Sequence, residues 1–249
     1  AYSVNERTRS FLKIQDGCNY KCTFCTIPIA RGPSRNQSIS NTVNTAQVAA
    51  TNGIKEIVLT GVNIGDFGQS TGEQFSDLIS ALEKVKPISR FRISSIEPNL
   101  LTEEIINFVA GSEKFLPHFH IPLQSGSDKI LRSMQRRYNK SDYAERIKAI
   151  KENIPDCCIG VDVIVGFPGE TDSDFMDTLT FLSNLGVSYL HVFTYSERDN
   201  TPAVNMDFSV SQIVRKNRSK MLREFSDELQ NTFINNQLGR VRKVLFETK

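Results

Sequence analysis

Six apolar, strand-like segments alternate with helix-like segments over most of this 249-residue chain, and that order restricts the fold more than any other feature. A strand followed by a helix and a further strand forms a parallel pair with a right-handed crossover. The helix-like segments place apolar residues three and four positions apart, as in "QFSDLISALEKV". The predicted strands are 10–15, 55–60, 91–95, 118–123, 159–165 and 188–194, and the predicted helices lie near 42–51, 75–85, 103–109, 129–134, 142–151 and 172–185.

This order predicts an α/β fold with a parallel sheet, and it leaves two topologies open. Six units are fewer than the eight of a closed barrel, so the chain can form an open, partial barrel; a doubly wound sheet is the competing arrangement. In both, functional side chains gather at the carboxyl ends of the strands. After Pro202 the alternation stops, and the sequence predicts one long helix that ends at Gly239, followed by the start of a new strand.

Composition is that of an ordinary globular protein, with 39% hydrophobic and 23% charged residues and a net charge of +2. Basic residues cluster at 128–151 and 215–223, a pattern that fits either phosphate contacts or solvated helix faces. No apolar run approaches the roughly 18 residues that a membrane span requires. The first residues also lack a secretory signal. We therefore expect a cytoplasmic protein without a membrane partner.

Three of the five cysteines lie in one short loop, "DGCNYKCTFCTIPI", directly after the first predicted strand. Clustered thiolates favour soft metals, either zinc or an iron–sulfur cluster. Structural zinc takes four ligands, whereas three cysteines on a cluster of four irons leave one iron with an open position. An open position is typical of a metal site that receives a substrate. We therefore predict Cys18, Cys22 and Cys25 as metal ligands.

The cysteine loop and five later motifs resemble those of the methylthiotransferases, a family within the radical S-adenosylmethionine superfamily. Together the motifs cover almost the whole chain, and the combination is highly specific. Within the family, the last two motifs resemble most those of bacterial members that act on threonylcarbamoyladenosine in tRNA. The motifs are "KIQDGCNYKCTFCTIPIARGPSR", "EIVLTGVNIGDFG", "RISSIEP", "DVIVGFPGET", "HIPLQSGSDKILRSMQRRY" and "LHVFTYSERDNTPA".

The resemblance implies a fold, cofactors and a domain plan. The fold would be a partial (β/α)6 TIM-like barrel with a long carboxyl-terminal helix. Its cofactors would be a [4Fe-4S] cluster and S-adenosylmethionine, whose sulfonium bond is broken by one electron from the cluster. A second [4Fe-4S] cluster is expected in an amino-terminal domain that this sequence lacks. The expected divisions are the radical core at 1–208, the core's last helix at 209–239 and the start of an RNA-binding β-barrel at 240–249.

The remaining candidate residues follow the predicted strands, where small and polar side chains suit a zwitterion, a ribose and an adenine. Gly61 permits close backbone approach, and Thr60 and Asn63 can pair with the methionine end of the cofactor. Gln124 and Ser125 can reach ribose hydroxyls. The other cofactor-binding candidates are Ser95, Glu97, Ile164 and Gly166, which the resemblance implies, and Phe193 and Tyr195, for which core filling is the alternative.

Two arginines and two histidines complete the set of candidates. Arg31 and Arg35 come just after the cysteine loop and are predicted to orient an anionic group of the substrate, with solvated arginines as the alternative. His118 and His120 share one face of a predicted strand. No acceptor for a proton is evident beside them, so we interpret them as hydrogen-bonded packing. No catalytic side chain is predicted beyond the cluster cysteines.

The resemblance implies an enzyme that methylthiolates C2 of N6-threonylcarbamoyladenosine at tRNA position 37. Two alternative targets are isopentenyladenosine in tRNA and an aspartate of a ribosomal protein. An alternative of another class is a metal-stapled RNA-binding module without chemistry, which a fourth protein ligand would favour. The expected partners are the anticodon loop of tRNA, a reductant such as flavodoxin or ferredoxin, and a sulfur donor.

Overall fold

The structure is a computed structural model that describes residues 8–246. None of the helices in that range is both long and apolar enough to cross a lipid bilayer. The strands are β1 (Arg9–Lys13), β2 (Gln15–Asp16), β3 (Arg35–Asn36), β4 (Glu56–Thr60), β5 (Arg90–Ile93), β6 (His118–His120), β7 (Cys158–Val165) and β8 (Tyr189–Thr194). The α-helices are α1 (Ile27–Arg31), α2 (Ile39–Thr51), α3 (Phe75–Glu83), α4 (Glu103–Gly111), α5 (Asp128–Ser133), α6 (Lys140–Asn153), α7 (Asp172–Leu185) and α8 (Gln212–Asn235), and short 3-10 helices lie at Ile64–Asp66 and Pro202–Asn205.

The described residues form two compact units. The first contains 8–19, 27–119 and 240–246, and the second contains 20–26 and 120–239. The cysteine loop is shared between them, because Cys18 belongs to the first unit and Cys22 and Cys25 belong to the second.

The first unit contains a parallel sheet in the order β1-β4-β5. The apolar positions of β4 are fully buried, as are those of α3 at the helical spacing expected from the sequence. The carboxylate of Glu56, at the start of β4, is also buried and lies 3.1 Å from Arg9, 3.7 Å from Arg90 and 3.4 Å from Arg92. A buried charge requires such partners, and here all three come from the same sheet. A small antiparallel pair, β2-β3, lies beside the cysteine loop.

The second unit contains the parallel strands β7 and β8 and, from β6 of the same sheet, His120. Along β7 the side chains alternate, so that Val161, Val163 and Val165 are buried while Asp162 and Ile164 on the other face remain partly exposed. Burial also alternates along the first five residues of β8. The partly exposed face of this sheet therefore carries the polar and aromatic residues from which a site can be built.

The predicted strands and helices occur in the predicted order, but β2, β3, α1 and the two 3-10 helices were not predicted. The remaining differences concern element ends. β6 ends at His120 rather than at residue 123, although the amides of Ile121 and Leu123 still donate to β7. α8 spans Gln212–Asn235 rather than 209–239, since the Ser211 side chain caps its start. Residues 240–246, where a new strand was predicted, adopt no regular secondary structure, and 247–249 lie outside the described residues.

The start of α7 is held by a capping box, as the sequence "TDSDF" indicates. Asp174 Oδ1 accepts a hydrogen bond from Ser127 Oγ at 2.8 Å. Its Oδ2 accepts hydrogen bonds from Lys129 Nζ at 2.8 Å and from the Thr171 amide and hydroxyl at 2.9 and 2.7 Å. Burial raises the pKa of Asp174, but these bonds outweigh burial and hold the pKa well below its usual range.

We expect Asp174→Asn to lower the free energy of unfolding by about 2–3 kcal/mol at pH 7. The asparagine NH₂ group would face hydrogen-bond donors that now bond to the carboxylate. A carboxylate whose pKa is depressed in the folded state stabilises the fold above the unfolded pKa, and that contribution is lost as the pH falls. The difference between the two proteins should therefore shrink below about pH 4. Urea unfolding at pH 7 and pH 3 measures it. The matched control, Asp177→Asn on an exposed position of α7, should change stability little at either pH.

Candidate functional site

The first part of the cysteine loop is held tightly against β3 and the chain before it. Gly17 adopts a positive φ of 72°, a conformation that favours glycine. The Cys18 amide donates to the Gly32 carbonyl at 3.0 Å, and the Ser34 amide donates to Asn19 Oδ1 at 3.0 Å. The backbone that presents the Cys18 thiol is therefore ordered by its own neighbours.

A buried glutamine joins the cysteine loop to the end of β4. Gln15 Nε2 donates to the Gly17 carbonyl at 2.7 Å and to Ser34 Oγ at 2.9 Å. Its Oε1 accepts from the amides of Val62 and Asn63 at 3.0 and 2.8 Å. Sequence reasoning missed Gln15, because a lone glutamine at a strand end gives no signal of such a role. The Gln15 side chain thus holds together the backbone of the cysteine loop and the backbone that follows β4.

The second part of the loop, with Cys22 and Cys25, is anchored within the second unit. The Cys25 amide donates to the Cys22 carbonyl at 3.1 Å, which closes a turn. Thr23 is fixed through its backbone and its side chain: its amide donates to Met134 at 3.2 Å and its hydroxyl to Ser133 at 2.9 Å. Both acceptors are carbonyls at the end of α5. These bonds set the direction in which the two thiols point.

A guanidinium group lies against one of the candidate ligands. Arg136 Nη1 donates to Cys22 Sγ at 3.1 Å, and Arg136 Nε donates to the Tyr138 hydroxyl at 3.1 Å. Tyr138 in turn donates to the carbonyls of Pro122 and Leu123 at 2.8 and 2.9 Å. The motif "MQRRY" contains both residues, but the sequence assigned neither a role. A cation beside a sulfur favours the thiolate, the form that binds metals.

The chemistry of the donors fits an iron–sulfur cluster. None of the three cysteines forms a disulfide within the described residues. Cys22 is buried, and Cys18 and Cys25 are partly exposed. Cysteine sulfurs in a loop ordered by backbone hydrogen bonds, with a guanidinium beside one of them, are donors of the type that such a cluster takes.

At the end of β4, Gly61 and Asn63 lie against the Gln15 side chain, and Thr60 bonds to the neighbouring strand. The Thr60 carbonyl accepts from the Ile14 amide at 2.8 Å. A Cβ on Gly61 would lie 2.9 Å from the Gln15 carbonyl oxygen, so only glycine fits there. Asn63 is 4% exposed and donates to Asp66 at 3.0 Å, while its Oδ1 has no hydrogen-bond partner among residues 8–246. A buried acceptor without a donor suits a ligand that brings one.

The other candidates of the first unit are less constrained. Ser95 and Glu97 follow β5 and are partly exposed, and the Glu97 carbonyl accepts from two amides of the following turn. Arg31 is exposed at the end of α1. Arg35 donates to Asp16 Oδ2 at 2.8 Å and to the Arg31 carbonyl at 2.6 Å, so its guanidinium closes the loop rather than standing free. Slight desolvation raises the pKa of Asp16, but a hydrogen bond from Lys13 and the charge of Arg35 lower it overall.

At the end of β6, Gln124 and Ser125 have different surroundings. Gln124 adopts a positive φ of 70°, which is strained for a residue with a side chain. Its amide and carbonyl both bond to β7, at 2.8 Å to Asp162 and 2.9 Å to Ile164. Ser125 is 1% exposed, and its hydroxyl accepts from the Ser127 amide at 3.2 Å. Its predicted contact with a ribose stays a prediction, as does that of Gln124.

At the ends of β7 and β8, Gly166 and Tyr195 pack around Arg215. Gly166 has a positive φ of 77°, and a Cβ there would lie 2.3 Å from Arg215 Cγ. Tyr195 is 5% exposed, and its hydroxyl has no partner within the described part of the chain. Burial and the charge of Glu197 raise the pKa of Tyr195, so the phenol keeps its proton and remains a donor.

Ile164 and Phe193 are opposite one another in the register of β7 and β8. Phe193 is 51% exposed, so an aromatic ring stands on the sheet surface instead of filling the core. An exposed aromatic face beside an aliphatic side chain can hold a flat, apolar ring.

Comparison with known proteins places these observations in a family. The model of the radical SAM superfamily matches residues 12–182. The threonylcarbamoyladenosine tRNA methylthiotransferase MtaB of Bacillus subtilis is 41% identical over 98% of this chain and 55% of its own length. The tRNA-2-methylthio-N(6)-dimethylallyladenosine synthase of Acetivibrio thermocellus is 36% identical over 99% of this chain and 52% of its own length. The chain thus spans about half the length of the curated relatives it matches.

Among solved structures, the radical S-adenosylmethionine methyltransferase TsrM of Kitasatospora setae, with cobalamin and a [4Fe-4S] cluster bound, matches with a TM-score of 0.66 at 16% identity. The match covers 78% of this chain and 38% of that protein. The predicted fold class, a partial (β/α)6 barrel of the radical S-adenosylmethionine type, is confirmed by this likeness and by the family match. The family match also supports the two predicted cofactors. The chain belongs to the radical SAM superfamily.

Proposed function

We propose that this chain is the radical-generating core of a tRNA methylthiotransferase that acts on C2 of N6-threonylcarbamoyladenosine at position 37. The observation that carries the proposal is the three-cysteine loop in a chain that is 41% identical to a protein named for that reaction. Relatives at 36% identity are named for dimethylallyladenosine instead. Which tRNA nucleoside is modified is therefore a separate and more specific part of the proposal.

In this proposal Cys18, Cys22 and Cys25 would hold a [4Fe-4S] cluster, and S-adenosylmethionine would bind beside it. When bound, the cluster supplies the electron that breaks the sulfonium bond of that cofactor. Arg136 donates a hydrogen bond to Cys22 Sγ and places a positive charge beside that sulfur.

The chain's other residues bind and orient. Asn63 offers an unpaired buried acceptor to the methionine ammonium, and Tyr195 offers an unpaired buried donor. Ile164 and Phe193 present an apolar surface on which an adenine can lie. Phe24, between Cys22 and Cys25, packs edge-on against Phe167 with ring centroids 6.4 Å apart, which excludes water from that side of the loop.

The complete reaction requires more than residues 1–249. We propose that a second cluster and an RNA-binding domain come from regions outside this sequence, with an electron-transfer protein as reductant and a separate sulfur donor. The isolated chain should cleave S-adenosylmethionine without methylthiolating tRNA. Methylthiolation of tRNA by the isolated chain would contradict this expectation.

Two measurements test the proposal. Oxygen-free reconstitution followed by assays of iron, sulfide and 5′-deoxyadenosine distinguishes an enzyme core from a metal-stapled RNA-binding module, which would yield no deoxyadenosine. Mass spectrometry of tRNA nucleosides and ribosomal proteins from a deletion strain identifies the target. Loss of the methylthio group from threonylcarbamoyladenosine alone supports the proposal, and loss from dimethylallyladenosine or a ribosomal aspartate overturns its more specific part.

We expect Arg136→Met to lower the reduction potential of the reconstituted cluster by roughly 40 mV, the equivalent of ~1 kcal/mol for one electron. The hydrogen bond and the positive charge at Cys22 Sγ stabilise the more negative, reduced state, and methionine removes both. Redox titration followed by electron paramagnetic resonance measures the shift. The control is Arg137→Met, which removes the neighbouring arginine. The Arg137 guanidinium stacks on the Tyr20 ring at 3.8 Å. An equal shift in both variants would contradict a role specific to Arg136.

A further inference from the structure

We propose that His120, Asp162 and His191 form a binding site for a divalent transition-metal ion, separate from the cysteine loop. His120 Nε2 and His191 Nδ1 lie 2.8 and 3.3 Å from the same oxygen, Asp162 Oδ1. The three candidate ligand atoms all lie within 4.8 Å of one another. Two histidines and one carboxylate around a common point are a ligand set that iron(II) and zinc both use.

Three strands of one sheet bring these residues together. Asp162 on β7 is the direct register partner of His191 on β8. β6 ends at His120. The Ile121 amide then donates to the Gly160 carbonyl at 2.9 Å, and the Leu123 amide donates to the Asp162 carbonyl at 3.1 Å. These bonds align the segment after His120 with β7. Each strand therefore contributes one side chain at the same level of the sheet. Sequence reasoning assigned His120 to packing because its acceptor lies 42 residues away in the chain.

The distances suit a metal ion. Zinc–nitrogen and zinc–oxygen bonds are about 2.0–2.2 Å, so two ligand atoms on one ion are roughly 3–3.5 Å apart. The two measured distances to Asp162 are 2.8 and 3.3 Å. The imidazole rings are 5.0 Å apart between centroids. A histidine that binds an ion through one ring nitrogen carries its proton on the other.

Charge and exposure also favour a cation. The carboxylate of Asp162 supplies a negative charge that attracts a cation. The side chains of His120 and Asp162 are only 17% and 18% exposed, whereas that of His191 is 52% exposed. This group of three side chains is therefore open to solvent on the His191 side. Three protein ligands leave coordination positions on that side for water or a substrate oxygen.

The proposed metal site lies on the same strands as the predicted adenine contacts. Ile164 and Phe193 lie two residues further along β7 and β8, on the same face. Two residues of strand correspond to about 6.6 Å. A bound ion would therefore lie one level closer to the amino ends of these strands than Ile164 and Phe193.

Equilibrium dialysis against zinc chloride tests the proposal on the cluster-reconstituted chain in the absence of oxygen. Metal content is measured by mass spectrometry and zinc ligation by X-ray absorption. We expect about one additional zinc ion per chain with nitrogen and oxygen ligands only. His191→Ala and Asp162→Asn should each weaken zinc binding by at least about 10-fold. His118→Ala, which changes the chain's other histidine, should leave binding unchanged.

His191→Ala is the decisive variant, because a half-exposed side chain can be removed without disturbing the core, and its thermal unfolding should match that of the unmodified protein. Three outcomes overturn the proposal: no saturable zinc beyond the cysteine site, sulfur in the ligand shell of the additional zinc, or unchanged zinc affinity in folded His191→Ala. The readout is independent of enzymatic activity, so a failure of the proposed tRNA reaction leaves this result interpretable.

Discussion

Replacing Cys22 with alanine is expected to abolish cluster assembly and S-adenosylmethionine cleavage together. Cys22 is the buried member of the three-cysteine loop, and its sulfur accepts the Arg136 hydrogen bond at 3.1 Å. A chain with two thiolates cannot hold four irons and leave only one of them open. Iron content should fall from about four atoms per chain to near zero after reconstitution. Deoxyadenosine should become undetectable in the same samples.

The matched control for this result is Cys158→Ala. Cys158 begins β7 and is partly exposed, well away in sequence from the loop. This variant should keep both its iron and its deoxyadenosine production. If Cys22→Ala retains a cluster with an unchanged spectrum, then the loop is not the cluster site and the proposed function fails with it.

Gly17→Ala is expected to lower the free energy of unfolding by more than about 3 kcal/mol, or to displace the loop and prevent cluster assembly. Gly17 has a φ of 72°, which costs a residue with a Cβ about 1–2 kcal/mol. In addition, a Cβ at this position would lie 2.0 Å from the Pro33 carbonyl oxygen. Because that oxygen belongs to the backbone, the clash can be relieved only by moving the chain beside Cys18. Urea unfolding and iron content measure the two effects.

Gly32→Ala separates the two causes. Gly32 has the same φ of 72°, but a Cβ there meets nothing within 4 Å. It should therefore show the conformational cost alone, about 1–2 kcal/mol, and should retain its cluster. Equal losses of stability in the two variants would show that the close approach to Pro33 has no energetic consequence.

Much of the fold follows from local sequence. The bounds of α7 were predicted as 172–185 and are Asp172–Leu185, because the capping box and the amphipathic spacing are both local signals. The ends of β6 and α8 were predicted less well. β6 ends at His120 although single bonds from Ile121 and Leu123 to β7 follow, and α8 begins only after its cap at Ser211. Such ends depend on single hydrogen bonds, to which periodicity is insensitive.

The residues of the candidate site also fall into those that a local pattern reveals and those that it does not. Cys18, Cys22 and Cys25 could be recognised because their spacing is a local pattern. The roles of Gln15 and Arg136 could not, since their partners lie up to 48 and 114 residues away in the chain. The same holds for His120 and Asp162, which are 42 residues apart. Arg35 was predicted to meet a substrate, but in the structure its guanidinium bonds to Asp16, 19 residues earlier.

The sequence by itself determined the order of the main strands and helices, the position of the three clustered cysteines and the family. These properties depend on residue types at short, regular spacings, where side-chain direction follows from helix or strand geometry. The tertiary structure alone decided which buried polar atoms stay unpaired, which arginine contacts a thiol and which histidines share a carboxylate. Those pairings arise where distant strands are aligned by backbone hydrogen bonds, and the register of that alignment is not written in any one segment of the chain.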